Sequence, residues 1–173
     1  TGMGGGSLMT PLLVLLFGIH PAAAVGTDLL YASITKTVGT FVHGANHTVA
    51  WRIVARLATG SVPATVLTLL TISQFDLSSR AASHAISVVL GVMLRLTAVA
   101  LLFRQQLLAL GDNWLDNLPP RRVAVLTVVT GAALGVLVTV SSVGAGAIGV
   151  TVLLLLYPKL PMARIVGSDI AHA

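Results

Sequence analysis

Residues 144–170 read Gly-Ala-Gly-Ala-Ile-Gly-Val-Thr-Val-Leu-Leu-Leu-Leu-Tyr-Pro-Lys-Leu-Pro-Met-Ala-Arg-Ile-Val-Gly-Ser-Asp-Ile. They join a Gly-rich turn, an apolar run too short to cross a bilayer, a proline and a Val-Gly-Ser-Asp block. The same order opens the chain. Gly2-Met3-Gly4-Gly5-Gly6 precedes a short apolar run over 7–17, then His20-Pro21 and Val25-Gly26-Thr27-Asp28-Leu29. Gly2 and Gly144 lie 142 positions apart and Asp28 and Asp169 lie 141 apart, so a single gap registers the two copies. Gly, Val and Leu recur in any apolar sequence, but paired aspartates do not, and a duplicated unit is the better reading.

Working outward, the surroundings of both copies are membrane-like. The chain has 173 residues, of which 55% are hydrophobic and 9% charged, and its mean hydropathy is +0.96. A soluble domain carries roughly a quarter charged residues to hydrate its surface, so this composition excludes an ordinary soluble enzyme and a disordered chain. There is no cysteine, which excludes disulfides, thiolate metal sites and a cysteine nucleophile. All five acids are aspartates: Asp28, Asp76, Asp112, Asp116 and Asp169. The net charge of +5 does not indicate nucleic acid, because the basic residues sit between apolar spans instead of in a dense run.

Apolar stretches at 22–43, 52–73, 82–104 and 123–142 are each about the 20 helical residues that a bilayer of roughly 30 Å requires. Those at 7–17 and 147–157 are short, and a last helix is expected to start near 163. The runs are continuous, without the period-two alternation of a membrane barrel. If 147–157 also crosses, alternate connections collect Arg52, Arg56, Arg104, Arg121, Arg122, Lys159 and Arg164 on one side and only Arg80 on the other. That bias places the first group in the cytoplasm. The expected fold is an all-α polytopic membrane helix bundle with two short half-helices after Gly-rich turns. If 147–157 crosses, the two copies are separated by an odd number of crossings, hence inverted; if that helix is re-entrant, they are parallel. Residues 1–104 form the first repeat, 105–122 a cytoplasmic loop and 123–173 the start of the second. The chain shows no signal peptide at its start and stops within a continuing segment, so it reads as part of a longer membrane protein. Short, Gly-interrupted segments at matching positions of inverted halves are the best sequence pointer to a secondary transporter.

At this point the residues resemble a known family. Gly2-Met-Gly-Gly-Gly-Ser-Leu-Met-Thr-Pro-Leu-Leu13 with Ala24-Val-Gly-Thr-Asp-Leu29, and Ser142-Val-Gly-Ala-Gly-Ala-Ile-Gly149 with Val166-Gly-Ser-Asp-Ile-Ala171, are similar to the two signatures of TauE/SafE sulfite-exporter membrane proteins. Gly60-Ser-Val-Pro63 resembles a further segment of that family. The resemblance covers nearly the whole chain. Family members are normally longer, with a helix before the first turn and more helices after the second block. The resemblance implies movement of small anions, notably sulfite and organosulfonates such as sulfoacetate, across the bacterial cytoplasmic membrane.

Candidate site residues follow from physical chemistry beside that resemblance. Helices that start after Gly4, Gly5 and Gly6, and after Gly144, Gly146 and Gly149, present free N–H groups and the positive end of a dipole to an anion. Ser7 and Thr10 add hydroxyl donors. The competing reading is that these glycines only let helices pack closely. Asp28 and Asp169 stand near helix starts, where each either caps free N–H groups or couples transport to a proton or cation, a carboxylate in hydrocarbon being expensive. Lys36 shares with Asp28, Thr35, Gly39, Thr40 and His43 an arc of about 140° on a helical wheel, a stripe that lipid would penalise. Lys36 either contacts the substrate or snorkels to the interface. Arg95, within about 40° of His84 and Gly91 on its helix, either binds an anion through its planar fork or locks helices together.

The histidines show no metal-ligand spacing, and neither a metal nor a cofactor is expected. Trp51 and Trp114 read as interfacial belt residues. No nucleophile–base pair or nucleotide-binding fingerprint points to an enzyme. The expected partners are a small anionic solute and membrane lipid, with no nucleic acid, and the sequence admits a homo-oligomer. The alternative is a non-transporting structural or assembly subunit whose polar stripe binds a partner helix.

Overall fold

The computed structural model describes residues 6–74, 79–106, 118–143 and 145–172, with side chains described from residue 9 and, in the last stretch, from residue 146. The Gly-rich residues 1–5, Gly144, Trp114 and most of the 105–122 loop lie outside the described residues. Among the described residues seven helices follow one another: α1 (Gly6–Leu15), α2 (Pro21–Ala45), α3 (Trp51–Ile72), α4 (Arg80–Leu102), α5 (Pro120–Ser141), α6 (Ala145–Leu156) and α7 (Met162–His172). No strand occurs among the described residues.

Local chemistry sets the ends. α2 and α5 begin at prolines, which have no N–H to leave unpaired in a first turn. Ser79 caps α4 by accepting a hydrogen bond from the Ala82 N–H at 3.1 Å. α2 stops where His47 turns left-handed at φ 53°, and α5 stops at Ser142 with φ 57°, a conformation that ends a helix while N–H groups at the turn bond back to its last carbonyls, Thr48 to His43 at 3.0 Å and Ser142 to Val138 at 2.7 Å.

By length and composition, α3, α4 and α5 are apolar enough to cross a membrane. α2 has 25 residues, about 38 Å at 1.5 Å per residue, and its polar stripe makes it less apolar than those three. The outer faces carry Leu30, Ile34, Phe41, Leu67, Leu70, Val92 and Leu102 in exposed positions, the surface that lipid would cover.

The tightest packing lies between α3 and α5. A side chain at Gly60 would collide with the Val128 carbonyl, and one at Gly131 with the Leu57 carbonyl. Here the two backbones touch directly, the contact that small residues permit in lipid. Beside this crossing, Ile53, Leu57, Val150, Leu153 and Ile165 form the main apolar core, and Leu90, Met93 and Val143 a second one.

α6 spans only about 18 Å, yet it is central, with Ala147, Gly149, Val150, Thr151, Leu153 and Leu156 buried. It runs back along α5, because Tyr157 at its end meets Thr127 near the start of α5 through a 2.8 Å hydrogen bond. Arg56 Nη1 donates to the same Tyr157 hydroxyl at 3.2 Å. At that end of the bundle Arg104 also reaches Met162 Sδ at 3.6 Å. At the opposite end of α4, His20 Nε2 and Ser83 Oγ are 2.6 Å apart. The α1–α2 connection and the α6–α7 connection therefore lie at opposite ends of α4.

Candidate functional site

The site is built where α2 meets α7. Gly39 lets α7 come close, since a Cβ there would lie 3.0 Å from Ile170 Cγ2. Gly167 does the same against the loop after α2, where a Cβ would lie 2.6 Å from the Thr48 carbonyl and 3.2 Å from His43 Nδ1. The Ala50 N–H donates to Ser168 Oγ at 2.8 Å and fixes the register. Lys36, Gly39, Thr40 and His43 are half-buried on this side of α2, Asp28 is buried, and Thr35 is exposed. The polar stripe thus turns largely inward, as lipid demands.

Both aspartates lie deep within helices. Asp28 is the eighth residue of α2 and Asp169 the eighth of α7, because helix formation begins at Pro21 and directly after Pro161. Neither reaches the free N–H groups of a first turn, so the capping reading is corrected. Asp28 is fully buried, and its Oδ2 accepts from Thr10 Oγ1 at 2.7 Å and from Ser142 Oγ at 2.9 Å. Its Oδ1 is enclosed, and no hydrogen-bond partner for it is found among the described residues. These bonds tie the first short helix and the residue that ends α5 to one carboxylate.

Asp169 is 3% exposed. Its Oδ1 lies against Gly149, in the space that a side chain there would occupy. Along α2 it falls between the Gly39–Ile170 and His43–Gly167 contacts, about one helical turn from Lys36, whereas Asp28 is about two turns away in the other direction. Lys36 stands between the two carboxylates and within electrostatic reach of both. Among the described residues it makes no ion pair at bonding distance. Three residues beyond Asp169 on α7, His172 lies within electrostatic reach of Lys36, its Nε2 is 2.8 Å from Ser61 Oγ, and no hydrogen-bond partner of its buried Nδ1 is found among the described residues.

Of the residues singled out from sequence, Thr10 joins Asp28, Gly149 lies against Asp169, and Lys36 is within electrostatic reach of both aspartates. Gly6 opens α1, and Gly146 is half-buried in the first turn of α6. Gly4, Gly5, Gly144 and the Ser7 side chain lie outside the described residues. Arg95 is exposed on α4, whose buried face carries Leu90, Met93 and Thr97, so it is not brought to the aspartates.

Sequence reasoning missed Ser142, Ser61 and His172 as partners, and the Gly131–Gly135 pair as a crossing. Only the last had a signal, two glycines four residues apart in an apolar helix.

A family model described as Sulfite exporter TauE/SafE matches residues 1–173. The chain is 36% identical over 174 residues to the "Probable membrane transporter protein YjnA" of Bacillus subtilis (strain 168), covering all of this chain and 68% of that protein. No solved structure matches it.

Proposed function

Since the chain belongs to the TauE/SafE sulfite exporter family, we propose that this membrane transporter exports small anions, sulfite or organosulfonates such as sulfoacetate, across the cytoplasmic membrane. It does so as a secondary carrier, by alternating access between two inverted halves. The supporting observation is Lys36, a basic side chain within electrostatic reach of two buried aspartates where α2 meets α7 within an apolar bundle. Charge kept at that cost in a membrane interior marks a solute or ion path.

The arrangement of the two short helices supports the inverted reading. α1 packs on α2 and α6 on α7, and the two pairs enter from opposite ends of α4. Lys36 offsets the charge of the substrate, the first turns of α1 and α6 supply further donors, and Asp28 and Asp169 are the coupling candidates.

Reconstitution into proteoliposomes tests this. Wild-type protein moves sulfite, sulfoacetate or thiosulfate, and Lys36→Ala lowers the rate at least about ten-fold, as loss of one interaction worth roughly 1.4 kcal/mol would. Absence of flux for every anion, together with stable co-purification of a partner, would instead identify an assembly subunit.

A further inference from the structure

The two aspartates hold matching positions and have unequal surroundings. Asp28, eighth in α2, meets Thr10, fifth in α1. Asp169, eighth in α7, meets Gly149, fifth in α6. In the first pair the facing residue carries a hydroxyl, which donates to the carboxylate together with Ser142. In the second it carries no side chain, and no hydrogen bond to the Asp169 carboxylate is found among the described residues.

A buried carboxylate needs donors or a positive charge. Among the described residues Asp28 has two donors on one oxygen, and its other oxygen is enclosed. Asp169 has Lys36, which it shares with Asp28. One ammonium against two carboxylates leaves this core one positive charge short, and an anion bound at Lys36 would make it two.

We propose that Asp169 binds a monovalent coupling cation, a proton or a sodium ion, whose arrival frees Lys36 to hold the substrate anion, while Asp28 serves as a structural clamp between α1 and the end of α5. The inference rests on the anion-transport reading above. Cation and anion then bind cooperatively, each raising the affinity of the other by the same factor. Other charged groups on the elements packed around Asp169 are Asp28 and His43 on α2, Arg52 and Arg56 at the start of α3, and Arg164 and His172 on α7 itself; α6 carries none.

The test uses sulfite flux in proteoliposomes under a pH gradient at constant sodium, and under a sodium gradient at constant pH. One gradient drives accumulation, and raising that cation lowers the sulfite KM of the wild-type protein about ten-fold, within the usual range of coupling between sites. Asp169→Asn, and Gly149→Ala, which shifts the carboxylate without removing it, lose accumulation and the KM dependence while slow exchange persists. A wild-type KM indifferent to both cations overturns the assignment even if Asp169→Asn does not fold. So does loss of the dependence in Asp28→Asn with retention in Asp169→Asn. No flux of sulfite, sulfoacetate or thiosulfate would sink the transporter reading itself, whereas flux without cation dependence sinks only this inference.

Discussion

Thr10 and Ser142 converge on a single oxygen of Asp28 from opposite ends of the chain. Hydrogen bonds to a carboxylate contribute more than neutral ones, so Thr10→Val and Ser142→Ala should each lower stability by about 1–3 kcal/mol, read as thermal unfolding in detergent. In either single variant the remaining donor compensates, so the double variant should cost more than the sum. Additive losses would show that the two donors act separately. Neither partner could be paired with Asp28 from sequence. Thr10 stood out as a donor near a glycine turn, but Ser142 is one serine of a loop. Which loop meets which helix depends on how the bundle closes. Lys36 was legible for a different reason: its helix has one polar stripe, and the 3.6-residue period shows which residues share that stripe before any contact is known.

At the scale of elements, helix positions follow closely from apolar run length. The expected span over 22–43 is Pro21–Ala45, and that over 82–104 is Arg80–Leu102. Prolines and a serine cap account for the shifts at the starts. How the helices pair was less legible. Gly60, Gly131 and Gly135 form one backbone contact, but the first lies in α3 and the others in α5, and sequence does not say that these two helices are partners. Gly60→Ala and Gly131→Ala each place a Cβ on a carbonyl and should destabilise by about 1–3 kcal/mol, the usual cost of overpacking. Gly91, whose Cβ would meet nothing within 4 Å, is the control. Gly91→Ala should be neutral or stabilising by up to about 1 kcal/mol, since Gly is a poor helix residue. Equal effects at all three positions would mean that the crossing is looser than the geometry shows.

For the whole molecule, charge asymmetry makes a prediction about sidedness. Absence of cysteine makes single-cysteine labelling direct. In intact cells, Arg80→Cys should react with a membrane-impermeant maleimide and Lys159→Cys should not; the reverse pattern would invert the topology argued from the basic residues. Composition and hydropathy were enough to determine a membrane helix bundle in which short apolar helices accompany the long ones, because burial in lipid selects residues one by one and leaves that selection in the chain. The tertiary structure alone decided that Asp28 is clamped by hydroxyls while Asp169 leans on a bare glycine and shares Lys36. That difference depends on which atoms come within about 3 Å across helices distant in sequence, a distance that no local pattern encodes.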